Sequence, residues 1–141
     1  MLDSGIYKKE DFNIPSTIEI TSELTKETGS IMTFTGIVKE IGKDDKKVVA
    51  IEIETYDEHA NDSIKKICDE IKMKYNLTLA KIFHFKGYFK VGEPLVFVIV
   101  AAKHRNQTYF ALQEAIERYK KEPAIWKKEI YAGGNESWID S

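Results

Sequence analysis

Apolar residues recur along this chain with two different periods. Ala60, Ile64, Ile67, Cys68, Ile71 and Tyr75 are spaced by three and four, which predicts an amphipathic helix from Asp57, stopped at Asn76. The stretch NQTYFALQEAIERYKK predicts a second helix, with Tyr109, Leu112, Ile116 and Tyr119 on one stripe and Asn106 as its cap. That helix must end near Lys121, because Pro123 lacks an amide hydrogen and drives Glu122 out of the helical region. A shorter helix is predicted in TSELTKETG, capped by Thr21 or Ser22 and stopped by Gly29.

Elsewhere the period shortens to two. SIMTFTGIV and KKVVAIEIET, separated by the turn-like GKDD, predict a hairpin or meander. In the second run Val49, Ile51 and Ile53 alternate with Ala50, Glu52 and Glu54, leaving one wet face. LTLAKIFHF predicts a strand, followed by a turn at Lys86-Gly87 and then YFKVGEPLVFVIVAA. Leu95 to Ala102 is apolar on both faces and reads as a central strand. AIWKKEIY, AGGNE and SWID predict a hairpin through a glycine turn, with Ile125, Lys127, Glu129 and Tyr131 on one side. This order indicates an α+β sandwich with two main helices. No repeat or linker divides residues 1–141, which predicts a single domain.

Composition narrows the function classes. The chain is 43% hydrophobic and 31% charged, and its net charge of −2 offers nucleic acid or an anionic membrane no global attraction. Any anion site is therefore local. A lone cysteine excludes an internal disulfide framework and points to a reducing cytoplasm. The first residues lack a basic-then-apolar leader, and no run approaches the roughly 20 apolar residues that span a bilayer.

Chemistry has few places to sit. In AAKHRNQT a buried strand ends, His104 and Arg105 follow, and a helix begins, so two cationic donors stand beside free backbone amides. That set suits phosphate or carboxylate, with a solvated basic turn as the alternative. Lys120 lies beside the apolar stripe at the far end of the same helix, where desolvation turns an amine into a base or nucleophile; a cation that merely complements the helix dipole is the competing reading. Alternation selects Lys127, on the face of Ile125 and Tyr131, and leaves Lys121 and Lys128 to solvent. Cys68 shares a stripe with isoleucines and reads as a small core hydrophobe. His59, His84 and His104 lack paired-ligand spacing, so no metal is expected. Gly133-Gly134 reads as a hairpin device.

Taken in order, TFTGIV, YFKVGE, HR before a helix, YKKEPAIWKKE and the closing SWI resemble the catalytic large subunit of molybdopterin synthase over about Ile31 to Ile139. The resemblance implies an α/β hammerhead-type fold with a mostly antiparallel sheet. It implies a homodimer that binds a small ubiquitin-like sulfur carrier at each end, as a heterotetramer. The implied reaction inserts two sulfurs into a cyclic pyranopterin monophosphate, drawn from a thiocarboxylate on the carrier's C-terminal diglycine, with no cofactor. Carried over by position, Lys120 and Lys127 are the catalytic lysines, His104 and Arg105 contact the substrate anion, and Phe34 and Lys39 line the pocket. The corner Glu122, Pro123 and Ala124 is expected to border the groove for the carrier's tail. Lys39 stands where the family usually has arginine, and His84-Phe85 where it commonly has His-Arg. The alternative from a different class is a non-catalytic subunit that docks the carrier without turnover.

Overall fold

A computed structural model describes residues 1–140. Seven strands and three α-helices follow in order along the described residues: β1 (Gly5–Lys8), α1 (Thr17–Ser22), β2 (Ser30–Ile37), β3 (Val48–Thr55), α2 (Asp57–Lys74), β4 (Leu79–Lys90), β5 (Pro94–Ala102), α3 (Arg105–Tyr119), β6 (Ile125–Tyr131) and β7 (Glu136–Ile139). The sheet runs β2-β5-β4-β3-β6-β7, and β1 adds to β4. Only the β1–β4 pairing is parallel. The expected α+β class, two main helices and C-terminal hairpin are therefore present.

β5 is apolar at every position and buried from Leu95 to Ala102. Val96, Val98, Val100 and Ala102 face one core with Ile64, Ile67 and Ile71 of α2 and Ala111 and Ala115 of α3. Leu95, Phe97 and Ile99 face a second core with Phe83, Phe85, Phe89, Ile51, Ile53 and Tyr131. Strand alternation explains the division: odd and even positions point to opposite faces, and both are covered.

Several expectations shift in detail. The short helix lies earlier than TSELTKETG, because Ser16 caps it by accepting from the Glu19 N–H at 3.2 Å; Thr21 and Ser22 instead donate their hydroxyls back to the carbonyls of Ile18 and Glu19. β2 and β3 do not form a hairpin, since β2 pairs with β5 while β3 pairs with β4 and β6. No turn occurs at Lys86-Gly87. β4 runs through it, and Gly87 at φ 122° marks where the strand's edge passes from β1 to β3. The reversal comes later, where the Glu93 N–H donates to the Lys90 carbonyl at 3.1 Å. In β3 an extra residue between Val48 and Ala50 breaks the alternation, so Val49 is exposed while Ala50 and Ile51 are both buried.

The stripe of α3 is also rotated. Its buried residues are Thr108, Ala111, Ala115 and Tyr119, whereas Tyr109 is 65% exposed and Leu112 and Ile116 are only partly covered. Small residues let the helix lie close on β5, and large apolar residues at its flanks misled the periodicity. Its cap is His104, not Asn106: the Gln107 Oε1 accepts from the His104 N–H at 2.9 Å. β1 had no periodic signal in its four residues, and its Gly5–Lys8 ladder depends on β4 being already in place.

Replacing Ala115, which has no exposed surface, by leucine is expected to overpack α3 against β5. Urea unfolding should report a loss of about 1–3 kcal/mol.

Candidate active site

The end of α3 brings two lysines together. Tyr119 closes the helix and Lys120 is its C-cap at φ −74° and ψ −19°. The chain then turns through a buried Pro123 into β6. Lys120 is exposed. Lys127 is half-buried in the centre of β6, opposite Ile53 of β3 and Ile139 of β7. Burial, reinforced by the nearby charge of Lys120, pulls the Lys127 ammonium from 10.5 down to about 8. The desolvated amine is therefore Lys127, on the strand, whereas the sequence pointed first to Lys120.

Lys121 is exposed as expected, but Lys128 is not simply in solvent. Its side chain is 17% exposed, 3.4 Å from Glu52 and 3.5 Å from Glu136, and lies over the Trp138 ring at 5.2 Å. It occupies the face of the sheet opposite Lys127.

β2 brings Phe34 to the same end. Gly36, Val96 and His84 pair in one row across β2, β5 and β4, and His84 packs edge-on to Tyr119 with ring centroids 5.7 Å apart. Phe34 lies two residues earlier on this edge strand, packed against the helical core. Lys39 follows the end of β2 and is exposed. The loop beyond it is held from β6, where the buried Glu129 accepts from the Lys43 N–H at 2.9 Å and the Tyr131 hydroxyl at 2.8 Å. That carboxylate lies so close to Gly42 that an added Cβ would meet it at 2.4 Å. Sequence alternation had placed Glu129 on the inner face without revealing this anchoring.

His104 and Arg105 lie elsewhere. Both are exposed at the opposite end of α3, roughly 22 Å away for fifteen residues at the helical rise. Ser30, at the start of β2, meets Thr108 there at 2.6 Å. One chain therefore does not unite this pair with the two lysines. Their neighbouring amides are partly occupied too, since Gln107 takes the His104 N–H.

The Glu122-Pro123-Ala124 corner is tightly tied. Arg118 donates to both carboxylate oxygens of Glu122, at 2.6 and 2.9 Å. The Ala124 N–H donates to His59 Nδ1 at 3.2 Å and its carbonyl accepts from the Tyr56 N–H at 3.1 Å. The corner is thus a rigid wall whose Ala124 backbone has no spare ladder position. Cys68 is buried, donates to the Ser4 hydroxyl at 3.4 Å, and burial pushes its thiol up. Among the described residues no three His, Cys, Asp or Glu groups converge on a possible metal position.

The MoaE protein family model matches residues 7–122. The chain is 34% identical over 139 residues to the molybdopterin synthase catalytic subunit of Pyrococcus abyssi, covering 97% of this chain and 90% of that one. It is 38% identical over 135 residues to the Bacillus subtilis protein of the same name, covering 92% and 85%. The crystal structure of molybdopterin synthase from Staphylococcus aureus superposes with a TM-score of 0.85 at 30% identity, over 100% of this chain and 99% of that chain. A Helicobacter pylori complex of subunits 1 and 2 of molybdopterin-converting factor shares the fold at a TM-score of 0.67 and 19% identity, over 88% and 77%.

Lys127 carries a pH signature. An unfolded lysine titrates near its ordinary 10.5 and the folded one at about 8, so between those values the unfolded chain binds more protons and stability rises with pH. Below pH 8 the full penalty applies. Lys127→Met should therefore be more stable than the parent at pH 7 by roughly 3 kcal/mol, an advantage that fades towards pH 10.5. Paired urea titrations across pH 7 to 10.5 measure it.

Proposed function

We infer that this chain, which belongs to the MoaE protein family, is the catalytic subunit of a molybdopterin synthase, a sulfur-transferring enzyme of molybdenum cofactor biosynthesis. Its substrate is a cyclic pyranopterin monophosphate. The observation that carries the site assignment is the half-buried Lys127 beside Lys120, where burial and the second lysine's charge pull one amine down to about 8. Such a group exchanges protons at working pH, while an ordinary surface lysine stays charged.

The sulfur arrives as a thiocarboxylate on the C-terminal diglycine of a small ubiquitin-like subunit. Its sulfur forms a bond to the pterin side chain, an oxygen group leaves with a proton, and hydrolysis frees the spent tail as a carboxylate; two such rounds insert two sulfurs. Lys120 and Lys127 handle the protons, and either amine can also trap the tail transiently as an amide-like adduct. No cysteine nucleophile is required of this chain. The tail approaches along the rigid corner of Glu122, Pro123 and Ala124, and Phe34 and Lys39 border the pterin.

His104 and Arg105 bind the substrate anion from a second copy of the chain, because the length of α3 separates them from the lysines of their own copy. A homodimer with a carrier at each end, a heterotetramer, follows. The Helicobacter pylori complex of the same fold supports the two-subunit arrangement. No described helix is long and apolar enough to cross a membrane, and the reaction is placed in the cytoplasm.

Single-turnover assays with saturating thiocarboxylated carrier test the lysines. Lys120→Ala should yield no measurable product yet still bind the carrier, Lys127→Ala should be slower by a factor of about 10² to 10⁴, and Lys121→Ala and Lys128→Ala should be near normal. Equal small losses in all four would reduce the lysines to a charged surface, whereas no product from the parent complex would leave a docking subunit without turnover.

Arg105→Ala should weaken substrate binding about tenfold or more by removing a charge-assisted bond. If the site is shared between copies, mixing Arg105→Ala with Lys127→Ala under subunit exchange, assayed with substrate well below KM, should restore about one quarter of the wild-type rate, from the intact site of each mixed dimer. No recovery in mixed dimers would place all four residues on one copy.

A further inference from the structure

The hydrogen bonds that end α3 converge on Arg118. Pro123 has no N–H to offer, so the last backbone bond of the helical kind runs from the Glu122 N–H to the Arg118 carbonyl, at 3.0 Å. The Lys121 N–H reaches the same carbonyl at 3.1 Å. The guanidinium of Arg118 closes the turn from outside, donating Nε to one Glu122 oxygen at 2.6 Å and Nη2 to the other at 2.9 Å. Backbone and side chain of Arg118 thus both hold Glu122, and Lys120, the C-cap of α3, sits midway round the closed turn.

An isolated ion pair on a helix surface contributes little. Here the pair straddles the end of the helix, where the backbone beyond Glu122 has no helical bond to hold it. It is also a two-pronged fork, a geometry that fixes the orientation of a carboxylate as well as its distance. Its cation is anchored again on α2, where Nη2 donates to Glu70 at 2.6 Å. Nη1 lies 3.7 Å from Glu114, which is itself held by Lys74 and the Tyr75 hydroxyl at 2.6 and 2.7 Å. The Arg118 side chain is left 21% exposed. Its charge holds the Glu122 carboxyl below the ordinary range, with Lys66 adding to the effect and Glu114 opposing it, so the fork is ionised at neutral and alkaline pH.

We propose that Arg118 is a positioning residue: by holding Glu122 through both backbone and side chain it fixes the turn that carries Lys120, and with it the approach of Lys120 to Lys127. The assignment rests on the two lysines being the reacting pair. Burial and then the charge of Lys120 lower Lys127, and the other charged groups nearby are committed elsewhere. Glu129 of β6 serves the Lys43 N–H and the Tyr131 hydroxyl, Lys86 of β4 is paired with Asp57, and Lys128 belongs to Glu52 and Glu136 on the opposite face. His84, held at about 3, is neutral. A loosened turn therefore lets Lys120 swing into solvent, and its repulsion of Lys127 declines.

The test compares the parent with Arg118→Lys, Glu122→Ala and the double variant, each assembled with saturating thiocarboxylated carrier, alongside NMR titration of the lysine side chains in the carrier-free chain. Lysine keeps the charge of Arg118 without its fork. Each single variant should lower kcat about tenfold with KM for the pterin nearly unchanged. The double variant should lose no more than Glu122→Ala alone, because both changes break one contact. The titration separates position from charge. Removing the Glu122 carboxylate takes away a negative charge, which by itself pushes Lys127 lower, whereas release of Lys120 should move it up from about 8 towards 10.5. A Lys127 titration that stays or falls in Glu122→Ala, parental kcat in both single variants, or losses that add in the double variant would overturn the proposal. A parental complex that forms no product would instead overturn the assigned reaction, while the lysine titrations of the carrier-free chain would still decide the role of Arg118.

Discussion

Strand β5 has no wet face, and the rest of the molecule is arranged around that constraint. Its inner residues close on two cores at once, so a helical layer is needed on one side and the N-terminal segment with a group of phenylalanines on the other. Fully burying a side chain of this kind stabilises by about 1.5–3 kcal/mol relative to exposure, which makes the double covering the dominant local term. α3 meets β5 through alanines, and its axis is thereby held close to the sheet. The direction of β5 sets the direction of α3, and the end of α3 delivers Lys120 to the region of His84 and Lys127.

The site sets this packing against electrostatics. Lys127 sits in a strand whose alternate inner positions are Glu129 and Tyr131, both buried. An ammonium there loses hydration and faces a second lysine, with no carboxylate bonded to it among the described residues. The lowered affinity for its proton is the result. Lys128, one residue on, has the opposite arrangement: two acidic neighbours and an aromatic face. Strand alternation alone separates two adjacent lysines into a strained amine and a satisfied cation.

Much of this was legible because the relevant rules are local. The isoleucine spacing of α2 and the unbroken apolar run of β5 are strong signals, and Pro123 ended α3 within about two residues of the expected place. The inner face of β6 followed from alternation. Strand partners did not, because GKDD joins β2 to β3 without pairing them, and register depends on which strand arrives from elsewhere. Tyr109 and Ala111 exchanged roles on α3 because periodicity weighs hydrophobicity, whereas contact with a flat sheet favours small residues. The distance between Arg105 and Lys120 is simple arithmetic on a helix. A motif reading treats residues as members of one set and passes over it. His84 was dismissed as a metal ligand on spacing, but its packing against Tyr119 joins two distant segments and exists only in the folded chain.

Gly87 gives β4 an unusual mechanical position. One continuous strand pairs with β5 and β1 through its first part and with β3 through its last. The two portions of the sheet share this backbone instead of meeting at a loop, so neither can peel away without loosening the ladder of the other. Amide protection in β4 therefore belongs to one cooperative unit spanning both cores. Lys127 lies level with that join, in the row that runs from Gly87 through Ile53, so the half-buried amine rests on the most cooperatively held part of the sheet.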